Sequence, residues 1–337
     1  MSADRTIHLP GVSCYEQAAS ELAARGLTVR DVVHVAEFTA TGAVARDREA
    51  FLDGHEVPVS RIPIEAAADG GASAVTLTAV PGGGVPHRVG DDVVRVAGGT
   101  VYLPSVWTTE VAGDEPGEAF RGQYRACLER VAQLLGAVGL GLEALVQTTD
   151  YTATATRAEY PRCGRPRREL LGATGADGAP VFPGSAGILV DRPVAAGAMV
   201  ALDALGAIGP LTTVNPGWAR YDTLTYRPAV RAGLTLHLSG FGALDPMTQQ
   251  ALFPGDLPAQ AEYLYSSIEQ TLRAAGGSGR DVVKLVEYVT PEGQPAYPGL
   301  AELRRDRFPH AAVTSVVCSA LLRPEFLLET VPTAVLS

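Results

Sequence analysis

Leu234, Leu236 and Leu238 alternate with less apolar neighbours in LTLHLSGFGAL, a period that predicts a strand with one buried face. Between Glu118 and Ala137 the period changes. Phe120, Tyr124, Leu128, Val131, Leu134 and Leu135 recur at three- and four-residue steps and lay one apolar stripe along a helix. Further helices are expected at Tyr15–Arg25 and Leu257–Ala275. After each comes a glycine, placed at Gly139 and Gly276 for a left-handed cap, and then a short apolar strand with an acid near its end. The three copies read GLTVRDVVHVAEFT, GLGLEALVQTTDYT and GGSGRDVVKLVEYV; Glu37, Asp150 and Glu287 share one offset, as do Val33, Val146 and Val283. A unit recurring at such long intervals is a duplicated domain, not a short solenoid repeat.

The rest of the pattern completes the unit. Strands are expected at Thr223–Val230 and Leu234–Leu244 in the third copy, with a counterpart in Asp91–Leu103; the first copy lacks this hairpin. A second short helix follows the acid-bearing strand, as at Ala45–Asp53 and Tyr297–Phe308. Two strands close each copy: Ser60–Ala66 with Ala74–Val80, Gly184–Asp191 with Gly197–Ala207, and Ala312–Leu321 with Glu325–Val331. Gly- and Pro-rich stretches at Pro81–Asp91 and Gly209–Ala219 read as linkers, which divides the chain into 1–82 (truncated), 90–210 and 220–337. This order predicts an α+β protein with helices on one face of each mixed sheet. The opposite faces must pack on one another, sheets inside and helices outside, as three units round a pseudo-threefold axis. Three fused units close their own ring, so a monomer, or at most a weak dimer, is expected.

Apolar residues make up 46% and charged residues 19% of the 337, a globular composition. Net charge of −10 argues against binding a nucleic-acid backbone, and no run of apolar residues is long enough to span a membrane. A polar N-terminus and four scattered cysteines without ligand spacing suggest a cytoplasmic protein with no structural metal and no cofactor. Lys284 is the only lysine in the chain.

LHLSGFGALDP (Leu236–Pro246), DVVKLVEYV (Asp281–Val289) and LRPEFLLETV (Leu322–Val331) resemble the RidA/YjgF superfamily in order and spacing. The chain is similar in layout to the chorismatase branch, in which a divergent N-terminal part precedes two RidA-like units. The resemblance implies a trimer-like arrangement with clefts at the seams. It also implies an arginine in the penultimate strand that grips a substrate carboxylate, and a glutamate in the last strand that holds water or moves a proton. The arginine position falls at Arg61 in the first unit, Ser185 or Ala186 in the second and near Val313 in the third. The glutamate position falls at Thr76, Ala201 and Glu329. No unit keeps both. The chorismatase lysine would fall at Val286, two residues from Lys284, and of the arginines before their last unit only Arg220 has a counterpart.

Each candidate has two readings. Glu329, among Leu327, Leu328 and Val331, is a general acid or base raised in pKa by burial, or a carboxylate bound by backbone amides. Arg61 either grips a planar carboxylate or pairs with Glu56 or Glu65. Lys284 forms a Schiff base only if an apolar pocket depresses its pKa; otherwise it is a solvated strand lysine. His237, near Ser239, binds a substrate carboxylate or faces water. Tyr226, with Trp107, Trp218 and Tyr221, floors a seam pocket or packs in the core. Ser185 in GSAG is no nucleophile elbow. Glu37, Asp150 and Glu287 either converge on the axis or each pair with a local arginine at a unit interface. The resulting expectation is a small-molecule enzyme of specialised metabolism. It would act on a small unsaturated carboxylic acid or imine by hydrolysis, water addition or elimination. The alternatives are an enamine/imine deaminase and a non-catalytic binding module.

Overall fold

Gly26, Gly139 and Gly276 have φ of 69°, 75° and 83°, and each ends the long helix before it in the left-handed conformation that glycine takes without strain. The computed structural model describes residues 6–40, 45–110 and 115–337. The first unit runs β1 (Ile7–His8), α1 (Tyr15–Ala23), β2 (Val32–Thr39), α2 (Ala45–Leu52), β3 (Val59–Pro63), β4 (Ala66–Ala67) and β5 (Ser73–Ala79). The second opens with β6 (Val85–Val89), β7 (Asp92–Ala97), β8 (Thr100–Tyr102) and β9 (Val106–Trp107). It continues through α3 (Pro116–Gly136), β10 (Leu145–Ala153) and α4 (Gly164–Leu170) to a small hairpin, β11 (Ala173–Thr174) and β12 (Pro180–Val181). It closes with β13 (Gly184–Val190) and β14 (Val200–Ala207). The third has β15 (Leu211–Val214), β16 (Ala229–Ala232), β17 (Thr235–Leu238), α5 (Leu257–Ala274) and β18 (Val282–Val289). After α6 (Ala301–Arg307) come β19 (Ala312–Val317), β20 (Ala320–Leu321) and β21 (Leu328–Val335).

These strands form three mixed sheets, ordered β1-β5-β2-β3, β20-β13-β10-β14-β8-β7-β6 and β15-β16-β17-β21-β18-β19-β4. In each, the acid-bearing strand lies between a parallel and an antiparallel neighbour. The antiparallel register slips at the same place every time, between Val32 and His34, Leu145 and Gln147, and Val282 and Lys284. Val33, Val146 and Val283 are therefore the extra residues of a bulge repeated three times.

One face of each sheet packs on its own helices, as Leu128, Val131 and Leu135 of α3 do against Val101 and Leu202. The other faces meet in a shared core in which the equivalent residues Phe38, Tyr151 and Tyr288 come together. The Tyr151 and Tyr288 hydroxyls are 2.7 Å apart. Cross-unit bonds run round the ring in one sense. Gly11 N–H donates to the Val313 carbonyl at 3.0 Å, Ser105 N–H to that of Val59 at 3.3 Å, and Gly240 N–H to that of Ser185 at 3.0 Å. Each links a unit's opening segment to the penultimate strand of the next.

Several elements differ from expectation. The first unit keeps a remnant of its hairpin, because Ile7 and His8 pair with Ala79 and Thr78. Both supposed linkers contain strands, β6 and β15, which widen the second and third sheets. The strand expected at Thr223–Val230 begins only at Ala229. The preceding residues wind as a 3-10 turn, held by the Arg227 guanidinium, which donates to the Tyr221 and Leu224 carbonyls at 2.7 and 2.9 Å. The last strand runs on to Val335. No helix among the described residues is long and apolar enough to cross a membrane.

Candidate active site

The three aligned acids point into their own units, away from the axis. Glu37 accepts from Tyr15 of α1 at 2.6 Å and from Arg48 of α2 at 2.7 Å. Glu287 accepts from Tyr265 of α5 at 2.5 Å and from Arg304 of α6 at 2.8 Å. Asp150 accepts from Tyr124 of α3 at 2.9 Å and from Tyr160 at 3.1 Å. Its equivalent arginine, Arg167 of α4, makes no bond to it. The aspartate is one methylene shorter, its Oδ1 is buried without a partner, and burial raises its pKa. Arg167 instead donates to the hydroxyls of Tyr124 and Thr148 at 2.8 and 3.0 Å. It also reaches the Thr225 carbonyl of the third unit at 3.0 Å. The expected arginine partners therefore exist in two units, but inside each unit and not across an interface.

That diverted arginine borders a cleft of about 480 Å³ between the second and third units, a size suited to a small molecule. Its floor is Glu329, near the start of β21 and 6% exposed. A Cβ on Gly240 would lie 2.1 Å from Glu329 Oε1, so only glycine there admits the carboxyl. Burial is the main cause that pushes its pKa up to about 8; a backbone bond from Gly187 opposes this, and the Asp150 charge adds to it. Three cations line the same cleft: Arg167, Arg157 and Arg323. Arg157 donates to the Leu322 carbonyl at 2.8 Å. The Arg323 guanidinium makes no hydrogen bond or ion pair with a described residue. Trp218, Tyr221, Tyr226, Phe241 and Phe326 supply an aromatic wall. A neutral carboxyl facing guanidinium groups across a partly apolar pocket can donate a proton to an anion held in place.

Register pairs correct the sequence alignment. Glu37, Asp150 and Glu287 pair with Arg61, Gly187 and Ser315, so the arginine position is Gly187 in the second unit and Ser315 in the third. Phe38, Tyr151 and Tyr288 pair with Ala74, Ala201 and Glu329, which replaces Thr76 by Ala74. The glutamate is thus present at one seam of the three. Arg61 lies at another, exposed, with its N–H on Ser105 Oγ at 2.9 Å, so it does not share a site with Glu329.

Of the other candidates, Ser185 and Tyr226 line the cleft. Arg220 is exposed and bonds Thr223 Oγ1 at 2.9 Å, outside the cleft lining. Ser239 is buried as a seam cross-link, accepting from Ser185 N–H at 2.8 Å and donating to the Arg227 carbonyl at 2.6 Å. Lys284, half-buried, and His237, buried, face a separate cavity on the axis, and neither reaches Glu329's cleft. Sequence reasoning missed Arg157, Arg167 and Arg323. The one available signal was the aspartate at 150 where the other copies have glutamate. No group of His, Cys, Asp and Glu that could hold a metal occurs among the described residues.

A sequence model of the endoribonuclease L-PSP family matches residues 220–336. No curated protein sequence matches the chain. Among solved structures, a chorismatase superposes with a TM-score of 0.61 at 14% identity, covering 90% of this chain and 93% of its own. RidA from an Antarctic Psychrobacter is 29% identical over 34% of this chain and 90% of that one, with a TM-score of 0.31. A YjgF-family member from Mycobacterium tuberculosis is 25% identical over 37% and 99%, with a TM-score of 0.32. The likeness to the chorismatase is one of fold, and it extends over nearly the whole chain.

Proposed function

From a chain whose residues 220–336 carry an endoribonuclease L-PSP (RidA/YjgF) domain within a chorismatase-like fold, we propose an enzyme that hydrolyses a small unsaturated carboxylic acid in the cleft between the second and third units. The observation that carries this reading is the buried Glu329 carboxyl. With a pKa of about 8 it is mostly protonated at neutral pH, in a cleft bordered by guanidinium groups. The most fitting substrate is an enol ether bearing a carboxylate. Arg323 and the free N–H groups of Arg157 hold the carboxylate, and the aromatic wall packs on the substrate body. Glu329 delivers its proton to the terminal carbon of the double bond, and the ether oxygen stabilises the cation formed. Water adds to the carbon that bears the ether oxygen, giving a hemiketal. Its C–O bond to the ether oxygen then breaks as the hydroxyl proton passes to that oxygen, and a keto acid and an alcohol leave. The water's proton returns to Glu329.

An enamine acid offers the same nucleophilic carbon, which keeps deaminase activity as the second reading. Glycine at 187, where the family arginine would stand, weighs against it. RNA is a poor fit to a net charge of −10.

The test is to incubate the protein with chorismate, the substrate implied by the chorismatase fold, and to follow pyruvate by coupled reduction. Imino acids with ammonia detection run alongside. Pyruvate release that falls by about 100-fold or more in Glu329→Gln supports the proposal. Ammonia release alone favours the deaminase. Turnover of neither, with small acids bound equally by wild type and variant, points to a binding module.

A further inference from the structure

The inner faces of the three sheets enclose a second cavity, about 90 Å³, on the pseudo-threefold axis. It is built in rings of equivalent positions: His34, Gln147 and Lys284 in one, His8, Tyr102 and His237 in the next. At roughly 10–15 Å³ for each water-sized group, the space holds about six to nine of them, the size of a small organic molecule. At one end Thr6, Thr235 and Val335 are only half-buried, as is Lys284 itself, so solvent reaches the cavity there.

The polar groups facing it are unbalanced. The side chain of Lys284, the chain's only lysine, makes no hydrogen bond or ion pair with a described residue. His237 is 2% exposed, and neither of its ring nitrogens has a partner. His8 and His34 are tied to Thr78 and Ser60 at 3.2 and 3.1 Å, and the Tyr151 and Tyr288 hydroxyls to each other. The one carboxylate in the lining, Asp203, is hydrogen-bonded by the Ser105 hydroxyl, and its charge acts on Lys284 without forming an ion pair with it. Burial pushes the His237 pKa down to about 4, leaving a neutral ring with one N–H to donate. Deeper in, Phe38, Ile62, Val286 and Val331 make the lining apolar.

We propose that this axial cavity is a second ligand site, separate from the Glu329 cleft, for a small organic carboxylate with an apolar body. The carboxylate rests between Lys284 Nζ and the His237 ring, and the body fills the apolar end. Burial lowers the Lys284 pKa, the Asp203 charge opposes that, and a bound anion would oppose it further.

Benzoate is the probe, and the lone lysine is the reporter. In protein labelled with ¹³C-lysine, a single side-chain resonance follows Lys284 alone. Millimolar benzoate is expected to shift that resonance saturably and to raise the amine's proton affinity about tenfold. In calorimetry Lys284→Met should weaken this binding at least about tenfold, while Glu329→Gln leaves it unchanged. A lysine resonance that ignores benzoate overturns the proposal without any variant having to fold. Binding lost in Glu329→Gln and kept in Lys284→Met would overturn it too, by moving the site to the cleft.

Discussion

Because burial holds the Glu329 carboxyl at a pKa of about 8 against an ordinary 4.5, the folded chain keeps a proton there that the unfolded chain has released. The stability gained is complete below about pH 4.5 and is lost as pH rises through 8, a swing on the order of 5 kcal/mol. Glu329→Gln removes the titrating group. Calorimetry at pH 5, 7 and 9 should therefore show the variant gaining on wild type as pH rises. A gap independent of pH would mean that the carboxyl is ionised in the fold. The three acids behind the sheets differ in kind. Glu287→Gln breaks a buried ion pair with Arg304 and should cost about 3–5 kcal/mol in urea unfolding. Asp150→Asn breaks none and should cost less than half as much, since its Oδ1 is already unpaired. Equal losses would contradict the diversion of Arg167 toward the cleft.

At the level of elements, the repeated bulge and the glycine caps set three sheets in matching register, and the seams are closed by a few bonds each. Ser239 makes one of those at the seam that holds the cleft, from Ser185 N–H, and a second bond within its own unit to the Arg227 carbonyl. Ser239→Ala should cost about 1–3 kcal/mol by leaving buried partners unsatisfied. Thermal unfolding measures it, and an unchanged midpoint would show the cross-link to be dispensable. The long helices and the acid-bearing strands were legible because their apolar periods are local. So was Glu329, a lone carboxylate in an apolar strand. The arginines of the cleft were not. Arg157 and Arg167 lie in the second unit, far in sequence from Arg323 in the third, and Arg167 turns to the seam where the acid beside it is an aspartate. Lys284 and His237 read as surface candidates because alternation tells which residues share a face. It cannot tell that this face closes on two others around an axis. The strand that fails to form before Ala229 has a similar origin, for the buried guanidinium of Arg227 binds the carbonyls a strand partner would have used.

For the molecule as a whole, the units lend strands to one another's sheets, β20 of the third pairing with β13 of the second and β4 of the first with β19 of the third. The mass in solution by light scattering should be that of one chain, 35.1 kDa, and a stable trimer of chains would be incompatible with the closed ring. The same closure has a practical corollary. The peptide bond after Lys284 is the chain's one site for a lysine-specific protease, and it lies in β18, paired on both sides by β19 and β21. A protease reaches it only when the central strand comes out of its sheet. Scission into residues 1–284 and 285–337 then counts openings of that sheet, one cut per opening when the enzyme is in excess. With no competing site on the surface, the chain carries its own clock for native-state lifetime.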